Sequence, residues 1–127
     1  IFSNNDSMAL GALKSIQAQG YNIGDESKYI PIVGVDAIPE VIEEIRKGSI
    51  VGTVLQSPKD QARAVVDMIL NVASGKDVLD GTDYKLDEVK AVRVPYKAIT
   101  KDNINDALEA YNWLFIGITT LWMILAN

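Results

Sequence analysis

Residues 30–56 read IPIVGVDAIPEVIEEIRKGSIVGTVLQ, and this stretch decides the fold. Ile32 to Val35 is a short β-branched run, the signature of a strand covered on both faces. Pro39 suits the first turn of a helix whose Val41, Ile42 and Ile45 fall on one face, and Gly48 marks its end. A second strand follows over Ile50 to Leu55. An acid, Asp36, stands directly after the first strand and an amide, Gln56, directly after the second.

The same alternation extends outward. Ile1 to Ser3 reads as the end of an apolar strand, and NNDSMALGALKSIQAQG as a loop followed by a helix. Either Asn5 or Asp6 can cap that helix; Met8, Leu10, Leu13 and Ile16 are its apolar positions, and Gly20 is its stop. Downstream, Ser57 and Pro58 open a third helix whose Ala62, Val65, Val66, Ile69 and Leu70 recur at the three-and-four spacing of an amphipathic face, closed by Gly75. Strands and helices in strict alternation predict parallel strands joined by right-handed crossovers, hence an α/β fold with a layered parallel sheet. From Lys76 to Glu88 the pattern dissolves into a solvated turn region; Ala91 to Val94 then offers one more strand, ended by Pro95. Asp102 or Asn103 is placed to cap a last helix running through Ile104, Ala107 and Leu108.

Composition removes several function classes. The 127 residues carry a formal charge of −5, and no basic stripe is present for a phosphate backbone or an anionic membrane surface. With neither cysteine nor histidine, disulfide frameworks, thiolate sites, common zinc sites and histidine-based triads are gone. No phosphate-cradling glycine pattern, dinucleotide fingerprint or nucleophile elbow occurs. Asp36 and Glu40 are four apart, but Glu40 belongs to the first turn of a helix, where an acid favours the dipole, so a paired-carboxylate glycosidase is a weak reading. Glu43, Glu44, Arg46 and Lys47 read as a solvated helix face.

In open parallel sheets, ligands sit outside the carboxyl ends of the strands. Asn5, Asp36 and Gln56 fall there on three successive strands. A carboxylate only accepts hydrogen bonds, whereas an amide donates and accepts, so the trio suits a ligand with adjacent hydroxyls, and sugars are the obvious class. Each residue also has an ordinary reading as a helix cap or turn former.

At SNNDSMALGAL, at residues 30–56 and at VRVPYKAITKDNI, the chain resembles periplasmic sugar-binding proteins, specifically the galactose/glucose-binding proteins of bacterial ABC importers. The likeness runs from Ile1 to about Ala107. It implies a type I periplasmic-binding-protein-like fold, here incomplete: mostly the carboxyl-terminal lobe with part of the amino-terminal one. It also implies reversible, non-enzymatic binding of a galactose- or glucose-type monosaccharide in an interlobe cleft, and delivery to a membrane permease. Asn5 and Asp36 match sugar-hydroxyl ligands of the family. Gln56 stands where the family often has asparagine, one methylene shorter, which bears on sugar preference or pose. The resemblance further implies a βαβαβ segment of one lobe over 1–56, a contribution to the other lobe over 57–96 and a returning helix over 97–111. Other sugar ligands, the aromatic stacking faces and the family's calcium loop would precede Ile1, so no metal or cofactor is assigned. The same likeness places the full-length protein in the periplasm or on the outer face of the membrane, lipid-anchored in a Gram-positive cell, and makes it monomeric.

Two rivals share part of this pattern. The effector-binding core of LacI-type repressors has a similar early motif, but EEIRKGSIVGTVLQ departs from the strand expected there and no helix-turn-helix is present. A sugar-processing enzyme is the other. The start, Ile1-Phe2-Ser3, reads as internal to a longer chain. The uncharged tail over 112–127 lies outside the resemblance. It approaches the shortest spanning length of roughly 17 residues, yet its polar residues favour a buried or partner-covered helix, or sequence foreign to the domain.

Overall fold

A computed structural model describes residues 1–111. The chain divides into two compact units, one formed by Ile1–Gln56 with the chain from Tyr96, the other by Ser57–Pro95.

In the first unit, helix α1 spans Asp6–Gln17 and helix α2 spans Pro39–Lys47. Asn5, in extended conformation, caps α1 by accepting the Met8 N–H at 2.9 Å. Pro39 takes the first position of α2, where its missing N–H costs nothing. Gly48 ends α2 at φ +86°, and its N–H closes on the Ile45 carbonyl at 3.0 Å. A side chain would resist that left-handed geometry. The two helices bury Ala9, Leu13, Val41, Ile42 and Ile45 against Ile32, Ile50, Leu55 and Ile99.

Strand β1, Gly52–Leu55, pairs antiparallel with β2, Lys97–Thr100, in a register that sets Thr53 opposite Ile99. The expected parallel partners of β1 are present as single bridges, Phe2 with Val33, Val33 with Gly52 and Asp36 with Leu55. Hydrogen bonds from Ser3 N to Val33 O, 2.9 Å, and from Asp36 N to Val54 O, 2.8 Å, mark the same connections. Among the described residues the regular ladder is thus antiparallel and small. Pro31 has no N–H to give, and Asp36 leaves the extended region at φ +120°, so the parallel pairing is confined to the few residues between them.

Residues 104–111 are helical. Thr100, rather than Asp102 or Asn103, heads this segment: its hydroxyl accepts from Asp102 N while Asn103 Oδ1 accepts from Thr100 N at 2.8 Å, a reciprocal cap around a 3₁₀ turn over Lys101–Asn103. The apolar tail lies outside the described residues. Among those described, no helix is long and apolar enough to cross a membrane.

The second unit is built on helix α3, Pro58–Ala73, capped by Ser57. One expectation fails here. Ala91–Val94 is not a strand; Val92 makes only one antiparallel bridge, to Leu86. Asp87 accounts for this, since its Oδ1 accepts the N–H groups of Val89 and Ala91 and draws the backbone into a turn. The apolar face of the amphipathic α3 is uncovered: Val65, Val66, Ile69, Leu70 and Val72 are each more than half exposed, and Ala64 is the buried residue of the helix. Within Ser57–Pro95 no second layer exists to cover it.

Candidate functional site

The three polar residues expected at the strand ends all lie in the first unit, and two of them meet. The bridge between Asp36 and Leu55 sets Gln56 beside Asp36, and Gln56 Nε2 donates to Asp36 Oδ1 at 3.4 Å. At that length the bond is weak and readily exchanged for another. Both side chains are half-buried. Asn5 arrives from the other flank: its neighbour Asp6 donates its N–H to Val35 O at 2.8 Å, next to Asp36. The Asn5 Oδ1 is occupied by the α1 cap, while among the described residues its Nδ2 donates to nothing. The side chains therefore offer one carboxylate with accepting capacity to spare and two amides, one of them weakly engaged.

Asp36 is held from several directions. Its N–H is fixed by Val54 O, and its carbonyl accepts the Tyr111 hydroxyl at 3.1 Å. Burial raises the pKa of the Tyr111 phenol, and the carboxylates of Asp36 and Asp6 reinforce this. Asp36 and the next residue, Ala37, both lie at positive φ, +120° and +61°. For side-chain-bearing residues this is a strained geometry that persists only where the surroundings impose it.

Beneath Asp36 lies an acid with a different environment. Asp6 is fully buried; its Oδ1 accepts the Thr53 hydroxyl at 2.6 Å and its Oδ2 accepts the Ile38 N–H at 2.9 Å. Desolvation raises its pKa, partly opposed by these hydrogen bonds and assisted by the nearby charge of Asp36. Gly34 makes room for it: a Cβ there would collide with Asp6 Oδ1.

Sequence reasoning missed Thr53 and Tyr111 and saw Asp6 only as a rival helix cap. An inward-facing threonine in the strand GTVL was the available signal for Thr53, since a buried hydroxyl needs a partner. No local signal marks Tyr111, which reaches Asp36 across 75 residues of chain. No group of three or more Asp or Glu side chains placed to hold a metal ion occurs among the described residues.

Helices laid over short parallel-linked segments, with planar polar side chains where those segments end, form an α/β arrangement of the kind that places ligands outside the carboxyl ends of its strands. The chain belongs to the periplasmic binding protein domain family, whose model matches residues 1–77. It is 45% identical over 109 residues to the D-galactose/methyl-galactoside binding periplasmic protein MglB of Haemophilus influenzae, covering 86% of this chain and 30% of that protein. The myo-inositol binding protein of Caulobacter, solved with myo-inositol bound, superposes with a TM-score of 0.65 at 32% identity over 87% of this chain and 32% of that one. GanP, a glucose-galactose binding protein from Geobacillus stearothermophilus, superposes with a TM-score of 0.59 at 26% identity over 80% of this chain and 31% of that one. The chain thus spans 30% of the length of the curated relative MglB.

Proposed function

We propose that this chain supplies one wall of the sugar-binding cleft in the substrate-binding component of an ABC importer, and that the cleft holds a galactose- or glucose-type monosaccharide without changing it. The observation that carries the reading is the loose pairing of Asp36 with Gln56, in a half-buried setting beside the Asn5 amide. An ionised carboxylate can accept from two neighbouring hydroxyls at once, which a pyranose presents on one edge. The Gln56 amide gives up little when it turns from Asp36 to a sugar oxygen, because the bond it leaves is long. Asn5 adds a donor through Nδ2 without surrendering its cap. The likeness to MglB supports the galactose class, and the site chemistry is indifferent between epimers that share the same hydroxyl edge.

Binding alone, with neither a nucleophile nor an acid–base pair engaged, fits an importer's delivery protein that releases its cargo to a membrane permease. The periplasm, or the outer face of the cell membrane, is the corresponding compartment. Membership of 57–96 in the second lobe of such a protein belongs to the same proposal.

The test is Asp36→Ala in the full-length protein, titrated with D-galactose and D-glucose by calorimetry. Loss of about 2–5 kcal/mol of binding free energy is expected, since hydroxyls would be left unpaired in a dry cleft. A change below about 0.5 kcal/mol, less than an ordinary net hydrogen bond, would return Asp36 to the role of a turn former.

A further inference from the structure

The backbone that presents the Asp36 carboxylate is held by residues remote from it in sequence. Asp36 and Ala37 are consecutive non-glycine residues at positive φ, and the next residue, Ile38, is the N-cap of α2 and supplies no side-chain cap of its own. Both amides that follow Asp36 are taken by a single buried pair. The Ala37 N–H donates to Thr53 Oγ1 at 3.4 Å, and the Ile38 N–H donates to Asp6 Oδ2 at 2.9 Å. The pair is closed by the Thr53 hydroxyl, which donates to Asp6 Oδ1 at 2.6 Å, a short charge-assisted bond. Asp6 is wholly inaccessible and Thr53 only 4% exposed, so neither is placed to touch a ligand.

The arrangement is costly to build. A buried carboxylate is tolerated only when its oxygens are paired, and Gly34 must lack a Cβ for Asp6 to reach this position. An apolar pair of the same volume would fill the space without that demand, but it could not grip two N–H groups in a turn that side chains resist. What the acid and hydroxyl add over such a pair is the fixed turn, and the turn sets where the Asp36 carboxylate points.

We propose that Asp6 and Thr53 are positioning residues for ligand binding: they lock the Asp36–Ala37 turn, so that the Asp36 carboxylate is already aimed when the sugar arrives. This rests on the reading of Asp36 as a sugar ligand. Preorganisation of this kind strengthens binding by removing the ordering cost at the moment of association.

The experiment compares Thr53→Val, Thr53→Ser, Asp36→Ala and the Thr53→Val/Asp36→Ala double variant of the full-length protein. Each is titrated with D-galactose by calorimetry, with thermal unfolding recorded alongside. Thr53→Val is expected to weaken binding at least tenfold, Thr53→Ser to restore it to within threefold of the parent, and Thr53→Val to change affinity less than twofold once Asp36 is alanine. An affinity within threefold of the parent for Thr53→Val, whatever its melting temperature, would reduce the pair to a structural role and overturn the proposal. So would a full tenfold loss persisting in the Asp36→Ala background, because the effect would then bypass Asp36. Unaltered binding by Asp36→Ala alone is the separate signature that the reading of Asp36 as a ligand has failed, and the positioning role fails with it. Should Thr53→Val not fold, Asp6→Asn, which keeps an acceptor for Ile38 N–H, is read against the same thresholds.

Discussion

Replacing Gly34 with alanine is expected to destabilise the chain by about 0.5–2.5 kcal/mol. A Cβ at this position would collide with Asp6 Oδ1 and would stand 3.2 Å from Asp6 Cα and 3.3 Å from Ala9 Cβ. Either the carboxylate rotates or the first turn of α1 withdraws. Rotation sacrifices a hydrogen bond to Thr53 or Ile38, about 1.5–3 kcal/mol for a bond to a charged group. Withdrawal of α1 is an overpacking strain of about 1–3 kcal/mol. The reduced freedom of alanine in the unfolded chain returns about 0.4–1 kcal/mol. Urea denaturation followed by far-ultraviolet circular dichroism, with the slope unchanged, measures the sum. Gly11→Ala is the control: nothing lies within 4 Å of a Cβ there, on the exposed side of α1. It should gain about 0.5–1 kcal/mol. In an Asp6→Ala background the cost of Gly34→Ala should fall by at least half, because the carboxylate is gone. No loss in the parent, or a gain like that of Gly11→Ala, would refute the close approach of α1 to residue 34.

Three further outcomes follow from the geometry. Asn5→Ala should cost about 1 kcal/mol of stability through loss of the α1 cap, whereas Asn5→Asp keeps the cap and loses only the Nδ2 donor; calorimetric sugar titration with urea melts separates the roles, and equal stability losses in both variants would count against the cap. Asp6 has a folded pKa raised by burial, so its contribution to stability is full below the unfolded value of about 3.9 and is lost as pH rises through the folded one. Asp6→Asn should therefore improve relative to the parent as pH is raised above 4, with Glu44, whose pKa the Lys47 bond lowers, changing in the opposite sense in both proteins; a pH-independent difference in urea midpoints would contradict the burial of a charge. In Gly52→Ala the added Cβ would stand 2.5 Å from the Ile99 carbonyl oxygen, and backbone cannot swing aside as a side chain can; about 3 kcal/mol of strain and faster hydrogen exchange along β1 and β2 are expected, and unchanged exchange would argue against the register.

Much of this architecture was legible because its punctuation is local. Pro39 and Pro58 open helices, and Gly48 ends one in the left-handed region, each by a constraint carried within the residue itself. The core face of α2 was visible for the same reason, as Val41, Ile42 and Ile45 are all buried. What escaped was decided at a distance. Whether Ile32–Val35 forms a ladder depends on Pro31 and on the turn at Asp36, and whether the α3 stripe is covered depends on other layers. Asp87 shows a third cause: one carboxylate with two nearby amides outbid the strand propensity of Ala91–Val94. At the candidate site, Asn5, Asp36 and Gln56 are marked by their places at strand ends, but Thr53 and Asp6 pair across 47 residues, and no short window of sequence contains both.

The bare stripe along α3 shapes how this chain behaves as a substance in a tube. Side chains such as Ile69 and Val72 in open water make every encounter between molecules an opportunity to shed hydration. Sulfate and phosphate salts strengthen that tendency and dilute urea relaxes it, so the buffer governs whether molecules stay apart or cohere.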